Sequence, residues 1–295
     1  MADTAYSPHE HLVAPGRDRP ELWRLLVGLV IIAAVIVAMN MLVMSGLRLV
    51  QSDAQMRDFL LGRTQFAMFV VLGSFAFVIL GVGVAARLMQ GRGLIGIIGA
   101  PGLAVVQFWR VFRVLLAIGV VTLILPPYDM GAPMTSNLSL GLWLVLLPLS
   151  LLVVLVQTSA EEILFRGYIQ QGLAARFSSP LIWMGLPAVL FAVGHYLPDQ
   201  AGDNALLIGL WAGCFGLLTA DLTARSGTLG PAIALHMFNN LTALLFIAFP
   251  ESLSGLALYL VPFDMSDTGE VRLWLVVDFM MMLVAWLGAR FALRR

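Results

Sequence analysis

The chain has 295 residues, of which 60% are hydrophobic and only 12% charged, with a mean hydropathy of +0.93. An average soluble domain is about a quarter charged, so this composition excludes a nucleic-acid binder, a disordered scaffold and a soluble enzyme on a membrane anchor. It reads as an all-α, polytopic membrane protein. The 17 basic residues, all arginine, balance 17 acidic ones and say nothing of partners, while a single cysteine, Cys214, excludes an intrachain disulfide and thiolate-cluster metal ligation.

In chain order, residues 1–20 hold Pro8, Pro15 and Pro20 with His9, His11, Arg17 and Arg19, and read as a disordered cytoplasmic tail in which the two histidines are a solvated pair. Apolar runs long enough to cross about 30 Å of hydrocarbon as helices follow near 25–47, 65–88, 109–126, 141–168, 180–198, 205–221, 229–249 and 271–291, which makes eight spans. Between the second and third, Gly93, Gly96, Gly99, Pro101 and Gly102 interrupt an apolar stretch that reads as interfacial. The chain then divides into the tail, N-terminal transmembrane helices over 21–139, a core over 140–249 with the active site inside a helical bundle, and an outer loop with the last helix over 250–295.

Arginines set orientation through the positive-inside bias. Counted on alternate sides, thirteen fall with the two termini, among them Arg24, Arg92, Arg225, Arg290 and Arg295, and four (Arg48, Arg57, Arg63 and Arg272) fall opposite. Both termini are therefore expected in the cytoplasm, as in a bacterial inner-membrane protein, with the loops around Asp129, Asp199, Asp203, Glu251, Asp264 and Asp267 outside.

Ionisable groups within a bilayer cost a few kcal/mol each even on lenient scales (~2.5–3.5) and are functional candidates. Three segments concentrate them: Glu161-Glu162-x-x-x-Arg166, Phe191-x-x-x-His195 and His236-x-x-x-Asn240. Glu162 and Arg166 have the favourable i,i+4 order for a structural ion pair, while Glu161 projects about 100° away and is left free. His236 and Asn240 share a helix face, and Phe191 lies one turn before His195. A free carboxylate and a histidine for proton transfer, beside a histidine and an amide as donors, suit amide hydrolysis by activated water. Asn239 points off that face. Asp278, and Asp221 with Arg225 four residues on, read as structural.

These three motifs, in this order on separate spans, resemble those of the CPBP family, the type II CAAX prenyl endopeptidases and bacteriocin-processing or Abi proteins. The similarity covers roughly residues 140–245. It implies an intramembrane glutamate-dependent endopeptidase with a conical cavity open to the cytosol, in which Glu161 activates water with His195, and His236 and Asn240 form the oxyanion site. The implied partners are the lipid bilayer and a peptide or membrane-protein substrate, such as a prenylated C-terminal tail or a leader peptide. Relatives are often labelled metalloproteases, but no His-Glu-x-x-His is present; the expectation is that no metal is required, with Glu161, His195 and His236 the ligands if zinc binds. A proton-coupled carrier and an inactive membrane scaffold are the alternatives; the lack of an inverted repeat counts against the first and the complete motifs against the second.

One conflict remains at this level. Counted from Pro180, His195 lies about 22 Å into the membrane, deeper than Glu161, so its helix must tilt, break at Pro187 or start later than the apolar run.

Overall fold

The computed structural model describes residues 5–125 and 133–294; the expected positions of Asp129 and Arg295 lie outside the described residues. The protein is a helical bundle whose long helices are α1 (Leu22–Arg48), α3 (Gln65–Gln90), α5 (Pro101–Ile124), α6 (Leu140–Arg176), α8 (Pro198–Ser226) and α10 (Thr268–Leu293). These six are long and apolar enough to cross a membrane. Shorter helices are α2 (Asp53–Leu60), α4 (Leu94–Ile98), α7 (Pro180–Gly194) and α9 (Gly230–Leu241). Two-residue strands at Thr135–Ser136, Ile247–Ala248 and Tyr259–Leu260 form one small sheet, the last pairing antiparallel with the first and parallel with the second.

Among the described residues six such helices, rather than the expected eight, are found, for two reasons. The expected fifth span is α7, which is interrupted at Met184 between Pro180–Trp183 and Gly185–Gly194. Pro187 has no N–H to donate to the carbonyl four residues back, at Trp183, and its ring clashes there, so the helix breaks one turn before the proline and restarts. His195 therefore caps a ten-residue segment instead of ending an unbroken helix from Pro180. The expected seventh span is α9, whose twelve α-helical residues continue as a π turn over Thr242–Phe246, a segment still shorter than the roughly 20 residues that a span needs. Every residue from Gly230 to Met237 is buried, and a helix apolar all round is one enclosed by others. It packs on α5, α6, α8 and α10.

The third long helix also starts earlier than expected. The stretch read as interfacial divides into α4 and the first turns of α5, joined through Gly99 at φ +92°. A Cβ there would stand 2.9 Å from the Gly227 carbonyl oxygen, so both the turn and the close approach call for glycine.

The N-terminal tail is not disordered over its described part. Ser7–His9, Glu10–Val13 and Ala14–Gly16 form successive helical turns, with His9, Leu12 and Val13 buried. Pro8 and Pro15 occupy first turns, where a missing N–H costs nothing. Tyr6 Oη donates to Asp221 Oδ1 at 2.9 Å, Arg92 Nη1 donates to the Leu12 carbonyl at 3.0 Å, and the His9 ring lies 4.7 Å from that of Trp183. The two histidines are therefore unlike: His11 is exposed, and burial pushes His9 down to about 4. Composition averaged over the tail hid the few side chains that dock it.

These contacts gather the N-terminus, the segment around Arg92 and the C-terminal ends of α6 and α8 at one end of the bundle. At the other, Leu253 N–H donates to the Leu61 carbonyl at 2.7 Å, Asn137 Nδ2 to the Ser254 carbonyl at 2.9 Å, and Arg272 Nε to Asn204 Oδ1 at 3.3 Å. Asp221 and Arg225 pair at 2.7 Å. Asp278 is exposed and makes no hydrogen bond or ion pair among the described residues.

Candidate active site

The regular part of α6 ends at Glu162 and continues as a wide π turn over Ile163–Ile169 that contains Arg166. Wide turns of this kind recur at functional positions. Here the turn brings the Arg166 guanidinium, 1% exposed, to Glu162, 0% exposed: Nη1 donates to Glu162 Oε1 at 3.1 Å and Nη2 to the Gly216 carbonyl of α8 at 3.2 Å. Gly216 makes this approach possible, since a Cβ would lie 3.1 Å from the Ala188 Cα and 3.4 Å from Arg166 Nη2. The Phe191 ring covers the guanidinium at 4.9 Å, a favourable stacking in a desolvated setting.

His236 of α9 faces both carboxylates. Its Nδ1 lies 2.7 Å from Glu162 Oε1, so the ring N–H donates to the same oxygen that Arg166 uses, and its Nε2 lies 3.4 Å from Glu161 Oε2. The ideal-helix angle placed Glu161 apart from its neighbour, yet the two acids meet opposite edges of one imidazole. A hydrogen bond at one ring nitrogen fixes what the other presents, and Nε2 is thereby directed at Glu161. Edge-on contacts with Phe215 at 5.0 Å and Phe191 at 6.0 Å hold the ring. Glu161 is the more open acid, with 15% of its side chain exposed, and its Oε2 accepts no hydrogen bond among the described residues.

His195 ends α7, half-buried. Its Nδ1–H donates to the Phe191 carbonyl at 2.9 Å, which leaves Nε2 as the free ring nitrogen, and its ring lies 4.3 Å from that of Phe191. Phe191 is thus shared: it lines His195, His236 and Arg166 at once. Glu161, Glu162, Arg166 and His236 are brought into direct contact; His195 adjoins them through Phe191.

Asn240 is not turned to His236. Its Nδ2 donates to Gln157 Oε1 at 2.7 Å, and its Oδ1 accepts from Asn239 Nδ2 at 3.3 Å. Gln157, 5% exposed, lies one turn before Glu161 on the same face of α6 and received no role from the sequence. Only its i−4 spacing from Glu161 pointed to it. Phe215 was missed for a plainer reason: an aromatic residue in an apolar run carries no pattern. As for metal, no group of three His, Cys, Asp or Glu side chains among the described residues is arranged to hold an ion; Glu161, His195 and His236 do not form one.

A bundle of long apolar helices with two carboxylates, an arginine and a histidine joined at its centre defines an integral, multi-pass membrane protein with a buried polar site. Residues 142–242 of the chain match the family described as type II CAAX prenyl endopeptidase Rce1-like. That interval holds every residue of the cluster. The uncharacterized protein YyaK of Bacillus subtilis (strain 168) is 28% identical over 148 residues, which are 50% of this chain and 48% of that protein. The match thus spans about half the length of the curated relative. No solved structure matches the chain.

Proposed function

We propose that the protein is an intramembrane endopeptidase that hydrolyses a peptide bond with water activated by Glu161. One observation carries the reading: each of the two adjacent acids keeps its Oε2 without a hydrogen bond, but Glu162 is fully buried and bound through Oε1 by Arg166 and His236, whereas Glu161 is partly open. A general base needs such an unsatisfied acceptor within reach of its water. On this reading Glu161 takes the water proton and His195, through its free Nε2, assists the transfer. As the hydroxide adds to the carbonyl carbon, charge develops on the carbonyl oxygen. His236 and Asn240 donate to it, and the proton then passes to the leaving amine so that the C–N bond breaks. Burial strengthens each of these interactions.

The Rce1-like domain supports a CAAX-type tail, prenylated or not, as the substrate class, with a leader peptide or another membrane-protein segment as further members. The arginine distribution supports a cytoplasmic location for both termini, at the end where the N-terminal turns dock.

The test is cleavage of a fluorogenic prenylated peptide and its non-prenylated counterpart by detergent-purified protein, with and without chelator, against Glu161→Ala. Cleavage that survives chelation and vanishes in Glu161→Ala is the expected result. Loss on chelation with recovery on adding zinc would make the acid and histidines ligands instead, and no cleavage of either peptide would favour a carrier or scaffold.

A further inference from the structure

Beside the His236–Glu162 hydrogen bond at 2.7 Å, α6 and α9 meet through two polar rungs. Gln157 and Glu161 are four apart on α6, Asn240 and His236 four apart on α9, and they pair in antiparallel order: Gln157 with Asn240 at 2.7 Å, Glu161 with His236 at 3.4 Å. The positions one turn further along each helix are apolar: Val153 and Leu244 beyond the first rung, Phe165 and Ala232 beyond the second. Burying a carboxamide is unfavourable unless it is hydrogen-bonded, so Gln157 in this apolar interface is best explained by its partner.

A carboxamide has one oxygen and two N–H groups. In Asn240 the oxygen faces Asn239, one N–H faces Gln157, and the second N–H is left to donate elsewhere. Gln157 presents its own oxygen, an acceptor, so it tells the two ends of the Asn240 amide apart. Were that amide turned over while Gln157 kept its orientation, two carbonyl oxygens would oppose each other at hydrogen-bonding distance, and Asn240 would present an oxygen where an oxyanion needs a donor.

We propose that Gln157 is a positioning residue that fixes the Asn240 amide with an N–H directed at the developing oxyanion. This rests on the endopeptidase reading. The bond from Asn240 to Gln157 is already formed in this structure, and a donor held in advance is how a preorganised oxyanion site avoids reorientation during reaction.

The test uses full-length protein and the same fluorogenic peptide, comparing wild type with Gln157→Met, Asn240→Ala, the double variant and Gln157→Glu. Gln157→Met keeps the side-chain length and removes the acceptor; kcat is expected to fall about 10- to 100-fold, within the cost of losing one oxyanion donor, with KM within about twofold. The double variant is expected to be no slower than Asn240→Ala alone, because Gln157 acts only through Asn240. Gln157→Glu restores an acceptor oxygen and is expected to recover at least about tenfold over Gln157→Met if most of the effect is orientation. Costs that add in the double variant, an unchanged kcat in Gln157→Met, or no recovery in Gln157→Glu would each overturn the proposal. A wild type inactive on the peptide would instead sink the endopeptidase reading on which it rests, and full activity in Asn240→Ala would remove the donor that Gln157 is said to orient.

Discussion

Two acid–arginine pairs with the same i,i+4 spacing, Glu162–Arg166 on α6 and Asp221–Arg225 on α8, have unlike surroundings. Asp221 is held at the end of the bundle by Tyr6 Oη at 2.9 Å, Trp286 Nε1 at 3.0 Å and Arg225 at 2.7 Å, all of them groups that only anchor it. Glu162 spends one oxygen on both Arg166 and His236, and beside it stands a second acid with an unsatisfied oxygen. Spacing creates a pair in either place. Only the second place also holds a histidine between two carboxylates, and that company, rather than the pair itself, distinguishes a site from a cross-link.

The comparison is sharpened most by breaking the buried pair. Arg166→Met leaves Glu162 without its cation and is expected to lower stability by about 3–5 kcal/mol, seen as a collapse of the thermal unfolding temperature in detergent. Asn240→Ala, which leaves only the buried Gln157 amide without its partner, should lower that temperature much less than Arg166→Met does while lowering kcat about 10²- to 10³-fold, a split between stability and rate that the Asp221 region cannot show.

A third prediction concerns pH at the docked N-terminus. Burial lowers His9 from its ordinary 6.5 to about 4, so the docked state binds fewer protons than the released one. Docking is then fully favourable above about pH 6.5 and weakens as pH falls towards 4, by roughly 3 kcal/mol in all. Hydrogen exchange over residues 5–16 should rise across that window, and His9→Phe should flatten the dependence. The smallest effect is expected for Asp221→Asn: the aspartate is buried, but its side chain still accepts from Tyr6 and Trp286 after neutralisation, so the loss is about 1–2 kcal/mol, measured as a modest drop in unfolding temperature with cleavage unchanged.

Much of this was legible beforehand. An all-α membrane bundle follows from hydropathy, and the three motifs single out Glu161, Glu162, Arg166, His195, His236 and Asn240 because ionisable and amide groups are conspicuous against an apolar background. What was not legible has physical reasons. An apolar run has the same signature whether lipid or protein surrounds it, so α9, enclosed on all sides, passed for a span. Pro187 acts one turn upstream of itself, which moved the start of the segment that carries His195. An ideal-helix angle separates Glu161 from Glu162, but an imidazole is wide enough to meet both. Gln157 stayed hidden because an amide in an apolar helix carries no charge to attract notice until its partner on α9 is located.

The central claim is a division of labour between adjacent acids, and it is tested most directly by measuring cleavage rate and unfolding temperature side by side for Glu161→Gln and Glu162→Gln. The account predicts that Glu161→Gln unfolds like wild type and loses cleavage by at least about 10³-fold, and that Glu162→Gln loses several degrees of stability because Arg166 and His236 lose their shared carboxylate. Appreciable cleavage by Glu161→Gln, or a stable and inactive Glu162→Gln, would contradict it.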